Sequence, residues 1–210
     1  MKVISANTAK ATTIIWNGKT EITGIYKYPV NGSIMLGKEA VAGDTIADRR
    51  VHGGSHKACY LFSGNHYPYW KGRYGHLSWD WGMFGENLSL EDMDESQIRI
   101  GDVYRIGTAL VQVSMPREPC YKLGLRFDTQ RILREFISFG YPGSYVRVLE
   151  EGAVTAGDKA VLEFRSENPL TVRDCFLLYY QKEKAADLLK LAVENTALPH
   201  YKREYLMQYL

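Results

Sequence analysis

The sequence has no long apolar run and almost no net charge, and each absence excludes a class of protein. No stretch of about 18 apolar residues occurs, so no segment is expected to cross a bilayer. Residues 1–10 also lack the apolar core of a signal peptide, which predicts a cytoplasmic location. Lysine and arginine number 26 against 24 aspartate and glutamate residues. The overall charge therefore gives no reason to expect a nucleic acid or a membrane as partner.

Cysteine is scarce, and several catalytic motifs are missing. Three widely spaced cysteines, in a chain without an export signal, predict reduced thiols rather than a disulfide framework. The chain has no G-x-S-x-G elbow, no G-x-x-x-x-G-K-[ST] loop and no G-x-G-x-x-G fingerprint. These absences remove the usual support for serine hydrolysis, nucleotide hydrolysis and nicotinamide binding. Iron–sulfur spacings and a flavin fingerprint are also absent.

What is present is a strand-like pattern over the first two thirds of the chain, followed by a helical tail. Short runs of Val, Ile, Tyr and Thr are separated by turns that contain glycine, and Asn17-Gly18 is a strong hairpin signal. Helical periodicity appears over residues 128–139 and again after Asn168-Pro169, where Thr171 and Asp174 predict an N-terminal cap. The pattern predicts a mostly β domain over residues 1–166 and a small three-helix unit over residues 167–210.

Three Gly-Asp pairs stand just before apolar segments. They begin at Gly43, Gly101 and Gly157, and the last two lead into runs that read as strands. Glycine and aspartate both favour turns, so each pair predicts a turn that enters a strand.

Cys120 is the leading candidate for chemistry. In the sequence MPREPCYKL, Pro116 and Pro119 remove two backbone donors and predict a stiff loop after a strand. The neighbouring cations Arg117 and Lys122 favour the thiolate, which is the form that attacks an electrophile or binds a metal. The alternative is that Cys120 is a small buried core residue, as most cysteines outside disulfides are.

A second candidate is the segment DRRVHGGSHK, residues 48–57, in which potential cations surround a pair of glycines. Glycine lets the backbone approach a ligand closely, and successive amides of such a loop can hold an anion. The alternative is a solvated, charged loop. A zinc site at His52 and His56 is disfavoured, because the intervening glycines disrupt the helix that this spacing requires. A phosphate group would fit such a loop.

A third candidate is the loop GMFGENL, residues 82–88. Gly85 allows an unusual backbone angle, and Glu86 and Asn87 supply polar groups at a turn. These residues could face a ligand or form an ordinary Asx turn. The aromatic residues that precede the loop, Trp70 among them, are expected to form core or pocket wall, with a short helix over residues 66–74.

Taken together, four motifs resemble the MOSC-domain family, most closely its YiiM-like branch. In chain order they are DRRVHGGSHKACYLF, FGENL, IGDVYRIG and VSMPREPCYKL. The resemblance covers about residues 20–165, and the part from Asn168 onward is similar to the three-helix extension of that branch. It implies a β-barrel with helices at its edges. Cys59 stands where the family usually has a plain apolar residue, and it is expected to be core.

The resemblance also implies a cofactor and an activity. Cys120 falls on the cysteine that is thought to ligate the molybdenum of the molybdenum cofactor or to carry a persulfide. The branch implies a molybdenum-dependent oxidoreductase that reduces small N-hydroxylated bases and takes electrons from a separate donor protein. The alternatives are a sulfur carrier, loaded on Cys120 by a sulfur donor protein, and a cofactor-binding protein without turnover. The residues expected to hold the cofactor are Arg49, Arg50, His52, Gly53, Gly54, Lys57, Glu86, Asn87, Arg117 and Lys122.

Overall fold

The protein has a mixed α/β fold, built on one large sheet with helices packed against it. The computed structural model describes residues 1–46 and 53–210. The strands in these ranges are β1 (Lys2–Thr8), β2 (Thr12–Trp16), β3 (Lys19–Thr23), β4 (Tyr28–Pro29), β5 (Ile34–Leu36), β6 (Cys59–Ser63), β7 (Leu88–Glu91), β8 (Val103–Ile106), β9 (Ala109–Pro116), β10 (Ser144–Glu150), β11 (Gly152–Val154) and β12 (Ala160–Phe164). The α-helices are α1 (Tyr67–Arg73), α2 (Tyr121–Arg126), α3 (Arg131–Phe139), α4 (Val172–Tyr180), α5 (Ala186–Glu194) and α6 (His200–Met207).

The large sheet has eight strands in the order β12-β8-β9-β10-β6-β7-β1-β4. Its pairs are antiparallel except β6 and β7, which run parallel. The remaining strands form two small sheets, β11 with β5 and β2 with β3. The closed β-barrel that the family resemblance implies is therefore not supported, because β12 and β4 are the terminal strands of an open ladder within the described ranges.

The two ends of the large sheet meet at the beginning of β1. This strand reaches the chain around the start of β12 through one bridge, Lys2 to Lys159, and through three backbone hydrogen bonds, from Val3 to Asp158, from Gly157 to Val3 and from Ala160 to Met1. The far end of β1 is paired with β4 at Asn7 and Thr8. Because β1 and β12 are not neighbouring strands of the ladder, these contacts bring the ends of the sheet together without pairing them as strands.

The predicted hairpin at Asn17-Gly18 is confirmed. Both residues have positive φ, 48° and 75°, as a two-residue type I′ turn requires. The flanking strands β2 and β3 pair from Trp16 with Lys19 to Thr12 with Thr23. Thr12, Ile14 and Trp16 are half-buried, whereas Ile15 is exposed. The hairpin therefore turns one face toward the rest of the protein and the other toward solvent.

The predicted helices are confirmed, with shifted starts. The helix predicted over residues 128–139 begins at Arg131, because Asp128 has a φ of 54° that no α-helix accommodates. It ends at Gly140 in the left-handed conformation, φ 76°. In the tail, Thr171 caps α4 by accepting a hydrogen bond from the amide of Asp174, as its sequence predicts. None of the helices in the described ranges has both the length and the apolar composition that crossing a bilayer demands.

Two clusters of buried side chains form the core. The larger lies on the sheet and includes residues from the tail, such as Leu178 of α4, Leu189 of α5 and Leu206 of α6. The smaller is aromatic and centres on Trp70, Phe84 and Phe136, which confirms the core assignment of Trp70. The C-terminal helices are thus packed on the sheet. The boundary at residue 166 stays a prediction.

Candidate functional site

An open cleft lies where several loops meet at one end of the sheet, with about 690 Å³ of empty space when the solvent at its mouth is included. The loop after β9 brings Cys120 to it, β6 brings Tyr60, and β10 brings Tyr145. The chain after β3 and the Gly43-Asp44 turn form the opposite wall. Ends of several strands meeting at one place are a common way to assemble a binding site from distant parts of a chain.

Cys120 lies at the boundary between the loop and α2. Its backbone is extended, with φ −124° and ψ 168°, and its carbonyl accepts a hydrogen bond from the amide of Leu123, 2.9 Å away. The residue is half-buried and lines the cleft. Cys59 and Cys175 are completely buried, as expected for Cys59. Cys120 is therefore the thiol that a ligand in the cleft can reach.

Arg117 presents a buried positive charge to the same cleft. Only 4% of the residue is exposed, and its guanidinium carbon lies 5.5 Å from the ring centre of Tyr60 and 5.4 Å from that of Phe136. Its Nη1 atom is buried and makes no hydrogen bond to any residue in the described ranges. Burial lowers the pKa of Arg117, but the neighbouring tyrosines and Cys120 raise it by more. A charged donor that is buried without a partner strongly favours an anion in the cleft.

Lys27 and Asp44 form a buried ion pair on the opposite wall. The two side chains are 8% and 3% exposed, and the Lys27 ammonium contacts an Asp44 carboxylate oxygen. Asp44 also accepts a hydrogen bond from Nδ2 of Asn87, 2.8 Å away. The Oδ1 atom of Asn87 accepts from the amide of Tyr60, at 3.1 Å. This network ties the loop at Asn87 to β6 and to the Gly43-Asp44 turn.

A second ionic group lies on the Cys120 side of the cleft. Glu118 lines the cleft and pairs with Lys202 of α6. The ammonium of Lys57 is 5.8 Å from the ring centre of Tyr145. Burial and the charge of Lys202 lower the pKa of Lys57, whereas Glu118 raises it. The C-terminal helix α6 thus supplies one of the charges that surround the cleft.

Tyr145 brings a phenol to the cleft. Burial raises its pKa to about 12, and the Arg117 charge opposes the shift. The phenol is therefore protonated at neutral pH and can donate a hydrogen bond.

Glu86 does not line the cleft. Its buried carboxylate accepts hydrogen bonds from the amides of Gly82 and Phe84, at 3.0 and 3.1 Å, and from the hydroxyls of Tyr67 and Ser89. A Cβ at Gly82, where φ is 86°, would lie 2.7 Å from the carbonyl oxygen of Lys27. Glu86 therefore holds a tightly packed loop in shape, and Asn87 is the residue of this loop that reaches the cleft.

The structure brings together five of the residues predicted for the site: Lys57, Asn87, Arg117, Cys120 and Lys122. Gly53, Gly54 and Glu86 are described, but they are not among the residues that line the cleft. Arg49, Arg50 and His52 lie outside the described residues. The roles of all of these residues stay predictions.

Sequence reasoning missed several cleft residues. The sequence predicts only a turn at Gly43-Asp44, because the ion pair of Asp44 with Lys27 joins residues 17 positions apart. Lys27, Tyr60 and Tyr145 come from segments that read as ordinary strand or loop. Glu118 lies between the candidates Arg117 and Cys120 in the sequence, but the predicted site does not include its carboxylate.

Comparisons with known proteins agree on one family. The MOSC domain matches residues 48–161. The protein YflK of Bacillus subtilis is 36% identical over 196 residues, which cover 93% of this chain and 88% of YflK. A protein of Gibberella moniliformis with the name Reductase is 37% identical over 142 residues, which cover 66% of this chain and 25% of that protein. The crystal structure of YiiM from Geobacillus stearothermophilus superposes with a TM-score of 0.83 at 32% identity, covering 100% of this chain and 98% of that one.

Proposed function

Because this chain belongs to the MOSC-domain family, and to its YiiM-like branch, we propose that the cleft binds the molybdenum cofactor and that the protein reduces N-hydroxylated bases. Cys120 is the proposed molybdenum ligand. The observation that carries the proposal is the position of two groups in one cleft, the Cys120 thiol and the buried Nη1 atom of Arg117, which has no hydrogen-bond partner among the described residues.

The residues present fit a phosphorylated pterin. Among the described residues, four cationic side chains line the cleft against two carboxylates, and one of those carboxylates, Asp44, is paired with Lys27. The surplus positive charge suits a phosphate group, and Nη1 of Arg117 has an open hydrogen-bonding position for one of its oxygens. The Asn87 amide and the Tyr145 hydroxyl offer polar contacts to the pterin edge.

The protein has limited but specific tasks in the proposed reaction. The overall change is R–NHOH + 2 e⁻ + 2 H⁺ → R–NH₂ + H₂O, in which the N–O bond breaks and the oxygen leaves as water. The bound cofactor supplies the two-electron redox chemistry. Arg117 and Lys122 would hold the anionic end of the cofactor, and Cys120 would ligate its molybdenum. Tyr145 keeps its proton on Oη and can orient a polar substrate by a hydrogen bond.

A relative supports the reductive direction. The Gibberella protein is called a reductase, and the segment similar to this chain makes up a quarter of it. Within this chain, no iron–sulfur spacing and no flavin fingerprint occurs. We therefore propose a separate protein as electron donor.

The proposal is tested by loading the purified protein with molybdenum cofactor without oxygen and counting the bound molybdenum. We expect about one molybdenum per wild-type chain, and a large loss for Cys120→Ser and for Arg117→Met. Cys175→Ala is the matched control, because it removes a thiol that is buried in the core, and it should bind molybdenum like wild type.

Two outcomes would contradict the proposal. If Cys120→Ser binds molybdenum fully and still reduces an N-hydroxylated purine with a supplied electron donor, ligation by Cys120 is wrong. If the wild type binds no molybdenum but accepts labelled sulfur on Cys120 from a desulfurase, the protein is a sulfur carrier.

A further inference from the structure

A second surface of the protein carries arginines that the proposed reaction does not use. It is a shallow hollow on the outer side of α1 and α3. Arg73 stands at the end of α1, and Arg131 and Arg134 stand on the exposed side of α3. We call these three residues, together with the exposed ring of Tyr69, the arginine face.

The arginine face has more positive than negative charge. Glu135 is the acidic residue among those that line the hollow, and it pairs with Arg73 at 3.0 Å and with Arg131 at 2.9 Å. Arg134 forms no ion pair with the acidic side chains of the described ranges. One carboxylate therefore faces three guanidinium groups, and the excess charge is complementary to an acidic surface.

The aromatic part of the face gives it the composition of a protein interface. Tyr69 is 45% exposed, and its ring stacks on Phe139 with 4.6 Å between centroids. The guanidinium of Arg73 lies 5.7 Å from the same ring centre. Arginine and tyrosine are enriched in protein interfaces and at their energetic hot spots, whereas a merely solvated face is more often rich in lysine and glutamate.

The face lies directly behind the cleft. Phe136 is on the buried side of α3, and its ring centre is 5.4 Å from the guanidinium carbon of Arg117, which lines the cleft. Arg134 and Arg131 are on the exposed side of the same helix. A single helix, about 10 Å across, therefore separates the arginine face from the cleft wall.

We propose that the arginine face docks a small acidic electron-carrier protein, which delivers the two electrons of the reduction; this inference rests on the proposed function. The positive charge of the face favours an acidic partner. The short distance from the face to the cleft favours a partner that must come close to the cofactor, as an electron carrier must. A nucleic acid is the less suitable occupant, because the charge is confined to two helices and the chain as a whole has a net charge of +2.

The test uses Arg134→Glu and the double variant Arg73→Glu/Arg134→Glu, with Lys190→Glu as matched control. Arg134→Glu breaks no ion pair among the described residues, so the fold should be kept. Lys190 is an exposed cation on α5 and gives the same change of charge elsewhere on the surface. The probes are a plant-type ferredoxin and a flavodoxin, both acidic, and a single-stranded oligonucleotide.

Binding is measured first, on protein without cofactor, by titration calorimetry at low and at moderate salt. We expect at least one of the two carriers to bind the wild type, with a dissociation constant about tenfold higher for Arg134→Glu and higher again for the double variant. Lys190→Glu should change it less than about twofold. The proposal is overturned if neither carrier binds the wild type, if Arg134→Glu binds as well as wild type, or if the oligonucleotide binds more tightly than either carrier and loses its binding in the variants.

Activity then separates this inference from the proposed function. With cofactor loaded and reduced methyl viologen as donor, Arg134→Glu should reduce an N-hydroxylated purine at the wild-type rate, while its rate with the reduced carrier falls. Equal rates with the carrier for wild type and Arg134→Glu overturn the docking proposal alone. If reduced methyl viologen supports no turnover in the wild type, the proposed function is wrong. The docking proposal, which rests on that function, is then wrong as well.

Discussion

Trp16 stacks on Tyr121, with ring centroids 4.8 Å apart and an angle of 21° between the ring planes. Trp16 ends strand β2 of the hairpin, and Tyr121 follows Cys120 in the chain. The Tyr121 hydroxyl also donates to Glu21 of β3, and Nζ of Lys122 lies 3.4 Å from the carbonyl oxygen of Ile22. These contacts hold the β2–β3 hairpin next to the Cys120 thiol.

Loss of this stacking should expose Cys120. We expect Trp16→Ala to raise the alkylation rate of Cys120 by iodoacetamide several-fold. It should lower the free energy of unfolding by at least about 1 kcal/mol, because an aromatic pair contributes about that much beyond the area that it buries. Trp16→Phe keeps a ring and should show a smaller effect. Ile15→Ala is the control, because Ile15 is 76% exposed on the outer face of the same hairpin. Equal alkylation rates for Trp16→Ala and wild type would show that the hairpin does not shield the thiol.

The three thiols should differ sharply in reactivity. Burial raises the pKa of Cys175 to about 12 and that of Cys59 higher still, so neither forms a thiolate near neutral pH. Titration of the native protein with a disulfide reagent at pH 8 should therefore release one equivalent of the reagent's thiol per chain. The same titration in denaturant should release three equivalents. Cys120→Ser should release none in the native state. A second rapid equivalent from the native wild type would be inconsistent with the buried positions of Cys59 and Cys175.

Removing Asp44 should destabilise the fold, because it leaves the Lys27 ammonium buried without its carboxylate. Breaking such a pair from one side costs about 3–5 kcal/mol. We expect urea denaturation of Asp44→Ala to show a loss of about 3 kcal/mol. The double variant Lys27→Met/Asp44→Ala should recover part of this loss, because it removes the unpaired charge. A double variant less stable than Asp44→Ala would mean that Lys27 stabilises the fold through other contacts.

Stability should fall on mild acidification through His56. Burial lowers its pKa below the ordinary 6.5, and the charges of Arg147 and Lys57 lower it further. Its Nδ1 lies 2.9 Å from Nη2 of Arg147, so the folded protein favours the neutral ring. The stability from this group is present above pH 6.5 and is lost as pH falls through the folded-state pKa.

The measurement is the free energy of unfolding from pH 7.5 to pH 5. His56→Asn keeps an acceptor for Arg147 and cannot titrate, so its curve should decline less than that of wild type. One titrating group binds at most one proton, so the slopes of the two stability curves can differ by at most about 1.4 kcal/mol per pH unit. Because His56 is partly exposed, the difference should be smaller. Parallel curves for wild type and His56→Asn would show that His56 does not cause the loss of stability at low pH.

Local patterns predicted local structure well. Asn17-Gly18 predicts the hairpin because its turn needs two positive φ angles, which asparagine and glycine tolerate. Thr171 and Asp174 predict the start of α4 by a hydrogen bond within four residues. The short helix α2 was not predicted, because six residues that include Gly124 give too little periodicity.

The cleft is different, because its residues are far apart in the chain. Cys120, Arg117 and Lys122 were found from their neighbours in the sequence, since charge near a thiol is a local property. Lys27 and Asp44 gave no such signal. Their pairing depends on bringing the chain after β3 against the Gly43-Asp44 turn and the Asn87 loop.

The sequence by itself determined the strand-rich character, the helical tail, the family and the thiol at the centre of the site, because these depend on propensities, spacing and the residues next to Cys120. Only the tertiary structure decided that the large sheet stays open and that Glu86 turns inward while Asn87 faces the cleft. It also decided that Arg117 is buried with one donor that has no partner among the described residues. The physical reason is that burial and hydrogen-bond partners are set by segments distant in the chain, and no local pattern records which segments will meet.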